Sequence, residues 1–247
     1  MILVETTKPT AGRPIELLVD VHADAASPAS FRQAPRDGWP AHAEVVEARG
    51  GATLWCAHMA LSFEQPGSGT VAPLSRREFD ELTRRGVLDD ARVELLCGRV
   101  VSMSPQGGPH SYGVTELARA LIPAVGRKGR VRIQMPLAVS DSSEPEPDIA
   151  IVPPGDYLEE HPTGAWLVIE VADSSLDRDR TKAKVYAAAG VVEYWIVNLV
   201  EGVFEVHAGP SAEGYARVAR HGRGATLRVP QLAEIEVAVS DVLPPQR

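Results

Sequence analysis

The sequence predicts an α/β fold in which a central mixed β-sheet is flanked by helices. Three observations lead there. Ile149 to Val152, Trp166 to Val171 and Glu193 to Val197 are short apolar, β-branched runs bounded by Pro, Gly, Asp or Ser, the pattern of strands buried on both faces. Helical periodicity precedes and separates them at Ser75 to Arg85, His110 to Ile122 and Arg178 to Ala189. Apolar residues make up 44% and charged ones 23% of 247 residues, enough for one globular domain with a full core and an appendage.

Residues 1 to 70 are rich in Ala, Pro and Gly and lack strong periodicity. They read as an appended N-terminal region, or as a start placed upstream of the natural one, with Met59 the alternative. Ala43 to Phe63 could turn as a hairpin at Gly50-Gly51, and the rest reads as linker. His22, His42 and His58 have no ligand-like spacing. The main domain spans residues 71 to 247. It opens with a capping box, Ser75 to Glu78, and a helix whose Phe79 and Leu82 share one face before Gly86 stops it. Glu94 to Met103 then reads as a hairpin turning at Cys97-Gly98. Taken alone, Glu94 is a solvated strand acid.

His110 to Ile122 places Val114, Leu117, Ala118 and Leu121 inward and ends at Pro123 and Gly126. Arg127, Lys128, Arg130 and Arg132 follow with no acid among them. Cations are favoured at helix C-termini, and the remainder could touch a phosphate backbone. Val131, Ile133 and Met135 form a strand, with Gln134 on its other side leading towards the next acid. Beyond the central stretch, Val203 to His207, Tyr215 to Arg220 and Glu234 to Val239 alternate as half-exposed strands that extend the sheet or form a partner surface. His207 and His221 read as exposed.

Asp148 and Glu170 are the misfits in the apolar strands. If the two strands pair antiparallel about the connection Pro153 to Ala165, Ala150 faces Val168 and Asp148 faces Glu170 on one side of the sheet. Like charges so opposed, about 5 Å apart at Cβ, repel. A divalent cation with oxygen ligands would offset that, since Mg²⁺ is held by one or two carboxylates with waters and substrate phosphates. On the following helix Lys182 and Tyr186 share the sheet-facing side, whereas Arg180 and Lys184 point to solvent. Asp177 or Ser175 supplies the N-cap and Gly190 the stop.

The order Asp148, Glu170, Lys182 resembles the PD-(D/E)xK superfamily of restriction-endonuclease-like nucleases, with the lysine moved from the strand to the next helix. More narrowly, SMSPQGGPHS, SEPEPDIAIV, LVIEVADSS, KVYAAAG and VVEYWIVN resemble the Uma-two family assigned as endonucleases, over about Leu74 to Leu243. The resemblance implies a restriction-endonuclease-like core and a site of Glu94, Asp148, Glu170 and Lys182. The three acids would be ligands for Mg²⁺ or Mn²⁺. It also implies a homodimer, and a histidine at the place of His110 that orients a phosphate or water. His110, Gln134 and Arg130 are the candidate substrate contacts. The chain departs from the family pattern at Val93, Cys97, Ser175, Val192 and Asn198, none of them a proposed ligand.

The expected activity is metal-dependent hydrolysis of phosphodiester bonds, with DNA as partner. A net charge of −8 opposes a nucleic-acid partner at the level of the mean. It leaves open a catalytically silent binding or assembly module on the same fold. A glycosidase using Glu94 and Glu170 is a third class, disfavoured by an aromatic content of 5% and by leaving Lys182 without a task. No P-loop, nucleophile elbow or HExxH motif occurs. No apolar run reaches the ~18 residues of a membrane span. No signal peptide is evident, and Cys56 and Cys97 are too few for a disulfide framework. The expected location is cytoplasmic.

Overall fold

A computed structural model describes residues 2–6, 17–21, 73–89 and 91–245. The expected hairpin at Ala43 to Phe63, His22, His42 and His58, and the boundary at residue 70 lie outside them. Two compact units are present, Met1–Met103 with Asp141–Ser143, and Ser104–Ser140 with Glu144–Arg247. Among the described residues no helix is long and apolar enough to cross a membrane.

In the first unit, β1 (Ile2–Thr6) and β2 (Leu17–Val21) pair antiparallel in a stretch the sequence reading treated as linker. Helix α1 (Arg76–Arg84) carries the expected capping box and buries Phe79 and Leu82, which pack with Leu74, Leu88 and Leu95. Strands β3 (Val93–Leu96) and β4 (Arg99–Ser102) form the expected hairpin. Its turn takes Cys97 and Gly98 to φ 49 and 74, as a two-residue I′ connection requires.

The second unit is built on a six-stranded sheet of β5 (Arg130–Ile133), β6 (Ile149–Val152), β7 (Leu167–Ala172), β8 (Glu193–Asn198), β9 (Val203–Ser211) and β10 (Gly214–His221), ordered β10-β9-β8-β7-β6-β5. Only β7 and β8 run parallel. A parallel pair needs a crossover, and α3 (Leu176–Ala188) supplies it. The register is the one the hydrophobic pattern implies, with Ile149 opposite Ile169 and Ala150 opposite Val168.

The two faces carry different layers. Helix α2 (Gly108–Val125) packs Val114, Leu117, Leu121 and Val125 against Ile149, Ile151, Leu167, Ile169 and Trp195. Strands β11 (Thr226–Val229) and β12 (Leu232–Ala238) and the short α4 (Val239–Val242) join the same core. On the other face α3 lays Ala183 and Tyr186 against Ala150, Val168, Tyr194 and Ile196.

Several sequence expectations are corrected. Helix α2 runs through Pro123 to Val125, although proline there forgoes the bond to the Arg119 carbonyl and crowds it; the Gly126 N–H still closes the last turn on Ile122. Strand β5 ends at Ile133 and Met135 is exposed, because Gln134 turns the chain with a φ of 50. His207 is buried, since β10 covers the far side of β9 and the Tyr194 and Tyr215 rings flank the imidazole.

Candidate active site

The site forms in the second unit where β6 begins. The β6 ladder stops at Ile149, so Asp148 satisfies its neighbours with its side chain instead. Its Oδ2 accepts the Val171 N–H at 2.8 Å, and its own N–H points to Glu170 Oε2 at 3.4 Å. A backbone donor thus lies beside each carboxylate. This offsets part of the like-charge repulsion that the register creates.

Asp148 has two further partners. His110, on the first turn of α2, places Nε2 at 3.0 Å from Oδ2, and Gln134 donates from Nε2 to Oδ1 at 3.3 Å. Gln134 reaches it because its left-handed backbone turns the end of β5 inward, and its N–H also binds the Asp148 carbonyl at 3.1 Å. Non-glycine residues in this conformation carry strain and cluster at functional sites. Burial pushes the Asp148 carboxyl up. The His110 hydrogen bond and charge, then Val171 and Gln134, more than reverse this and hold it below its ordinary value. The same hydrogen bond raises His110 against the opposing effect of burial. His110 Nδ1 is buried without a hydrogen-bond partner.

Glu170 lies inside β7, and its Oε1 accepts from Lys182 Nζ at 3.0 Å and from Tyr186 Oη at 3.1 Å. Lys182 and Tyr186 are one helical turn apart on the sheet-facing side of α3, as their spacing requires. Asp148, Glu170 and Lys182 are 7%, 5% and 4% exposed. Charged groups so buried occur only when paired, and these pair with one another. Arg180 is exposed, as expected, and pairs with a buried acid from the surface. It chelates the buried Glu205 at 3.0 and 2.6 Å, and Asn198 Nδ2 donates to the same carboxylate at 3.0 Å.

Sequence reasoning overlooked Asp179, which is 3% exposed and one turn before Lys182. Its Oδ2 accepts from Ser175 Oγ at 2.5 Å, and its carbonyl accepts from Tyr194 Oη at 2.9 Å. Ser175 is the N-cap residue of α3 but makes no side-chain cap hydrogen bond. Burial raises the Asp179 carboxyl, opposed by the Lys182 charge and the Ser175 hydroxyl. The available signal was its spacing from Lys182, hidden in the charged run Asp177 to Lys182.

Asp148, Glu170, Lys182, His110 and Gln134 are therefore brought together. Arg130 is not: it stands four residues before Gln134 along β5, about 13 Å away, and donates from Nε to the Gly155 carbonyl at 2.7 Å. Glu94 lies in the first unit on β3, 2% exposed rather than solvated.

The donor set suits a hard divalent cation. Asp148 Oδ1 and Glu170 Oε2 make contacts at 3.3 and 3.4 Å, and carboxylate oxygen donors favour Mg²⁺ and Mn²⁺. Among the described residues no group of three or more His, Cys, Asp or Glu is arranged to hold a metal ion. Two carboxylates would leave the remaining positions to water and substrate oxygens.

The fold has a counterpart among solved structures. A crystal structure titled as a putative nuclease belonging to DUF820 from Anabaena variabilis ATCC 29413 superimposes with a TM-score of 0.52 at 17% identity, covering 61% of this chain and 88% of that one. No curated protein matches. The profile of the Uma2 family, described as "Putative restriction endonuclease", matches residues 76–240. That span holds both strand acids, the helix lysine and all of the six-stranded sheet, and the chain belongs to the Uma2 family.

Proposed function

We propose that this protein is a divalent-metal-dependent endonuclease that hydrolyses phosphodiester bonds of DNA. The carrying observation is the buried cluster in which Asp148 and Glu170 stand side by side with Lys182 on Glu170 Oε1. Asp148 and Glu170 would hold Mg²⁺ or Mn²⁺, which when bound polarises the phosphodiester and lowers the pKa of a water. Lys182 orients that water and offsets negative charge developing on the phosphoryl oxygens. Tyr186 fixes the rotamer of Glu170 from the same oxygen, and His110 and Gln134 keep Asp148 ionised and aimed. The product carries a 5′-phosphate. A role for Glu94 as a third carboxylate rests on the family resemblance, and Glu94→Gln tests it. Cutting both strands of a duplex calls for two sites, so a cytoplasmic homodimer is the assembly we expect. Equilibrium sedimentation reads its mass.

A silent binding module on the same fold is the second reading. It draws on the absence of a third ligand among the described residues. Incubating plasmid and single-stranded DNA with Mg²⁺ or Mn²⁺ separates the two. Wild type is expected to cut, with Asp148→Asn and Lys182→Ala each at least about 10²-fold slower while folded. If wild type leaves DNA intact, and calorimetry finds no Mn²⁺ binding that Asp148→Asn abolishes, the silent module stands instead.

A further inference from the structure

The sheet register places one more cation on the face that carries the acidic pair. Arg132 pairs with Ala150 across β5 and β6, and Ala150 pairs with Val168 across β6 and β7. Opposed residues project to one side of a sheet, so these three form a row on the face covered by α3. Gln134, Asp148 and Glu170 lie one step along on that same face. Arg132 is two residues before Gln134, at most about 7 Å away along the chain, a separation within the span of one nucleotide of backbone.

Among the described residues the direct contacts of this arginine are neutral. One terminal nitrogen donates to the Pro136 carbonyl at 3.3 Å and lies 3.4 Å from His161 Nδ1, and the Tyr157 ring covers the guanidinium at 5.9 Å. Nε is buried with no hydrogen-bond partner. No salt bridge joins it to a carboxylate among the described residues, and burial lowers its pKa against the smaller opposing effect of the Tyr157 hydroxyl. Arg180, Arg119 and Arg228 by contrast each hold a carboxylate. A half-buried guanidinium held only by weak neutral contacts is costly without an anion. A phosphate supplies one, in the bidentate geometry that suits arginine.

We propose that Arg132 binds the backbone phosphate next to the scissile one, fixing which bond of the strand reaches Asp148 and Glu170. This rests on the nuclease reading. The test uses Asp148→Asn as a non-cutting parent and a fluorescein-labelled single-stranded oligonucleotide. Its affinity is read by anisotropy between about 50 and 200 mM KCl. Adding Arg132→Gln is expected to weaken binding about 10-fold and to reduce the salt slope by about 0.7, the value for one phosphate on a single strand. Arg132→Lys keeps the slope, because it keeps the charge. Arg127→Gln, an exposed cation of the same basic run, leaves both unchanged. Where Arg132→Gln melts early, Arg132→Met, which keeps the aliphatic stem, repeats the measurement. An unaltered slope and affinity in the Arg132 variant overturns the assignment, and so does an equal loss in Arg127→Gln, which marks diffuse attraction. A parent that binds no oligonucleotide at the lowest salt instead fails the nuclease reading, and this inference with it.

Discussion

Asp179 shows what the buried cluster costs the fold. Its carboxyl sits among Asp148, Lys182 and His110 with one hydroxyl hydrogen bond, and burial drives its pKa above the ordinary value. For an acid raised in the folded state the sign is adverse. The penalty is full wherever the folded carboxyl is ionised, and it fades as pH falls through the folded pKa towards the unfolded value near 3.9. Asp179→Asn keeps the acceptor for Ser175 and removes the charge. It should therefore raise the melting temperature at pH 7.5, by an amount that shrinks on acidification towards pH 4. A variant that melts lower at pH 7.5 would mean the Lys182 attraction outweighs burial. At this scale legibility followed contrast: Asp148 and Glu170 stood out because apolar strands surround them, whereas Asp179 did not, among Asp177, Arg178 and Arg180.

Secondary-structure elements reach the site through close contacts that hydrophobic pattern does not encode. Helix α2 delivers His110, and it approaches β7 at Gly113, where an added Cβ would stand 3.1 Å from Val171 Cγ1 and 3.9 Å from the Val242 carbonyl. Val171 donates the N–H that Asp148 accepts, so a displaced β7 disturbs that acid directly. Gly113→Val should destabilise by about 1–3 kcal/mol through overpacking. It should also slow cutting more than an exposed substitution of equal cost. Chemical denaturation and the cleavage rate read the two effects, and a variant of wild-type stability would show that the helix can step away freely. Sequence periodicity located α2 but not this contact, because an interior glycine reads only as a weak helix former. Helix α3 is anchored differently. Arg180 ties it to Glu205 on β9, whose carboxylate also accepts from Asn198 on β8, a link between segments far apart in sequence.

At the scale of the whole molecule, the antiparallel pairing of β6 with β7 was legible, since a one-residue slip would have turned Asp148 or Glu170 to the wrong face. The fate of the C-terminal strands was not. Alternation marks a half-buried strand without saying which neighbour covers it, and His207 was misplaced for that reason. The charge balance poses the remaining question, because a chain of net charge −8 must attract a polyanion locally. Two carboxylates at the proposed cutting point repel a phosphate until an ion neutralises them. Divalent cations ordinarily weaken nucleic-acid binding, because they compete for the phosphates. The two effects have opposite signs, so the direction of change is diagnostic. With Lys182→Ala as a slow-cutting background, oligonucleotide affinity should rise about 10-fold when Mn²⁺ is added at constant ionic strength. The rise should vanish when Asp148→Asn is combined with it. If Mn²⁺ weakens binding in both proteins alike, the ion acts on the nucleic acid alone, and the acidic pair is not where a phosphate and a metal meet.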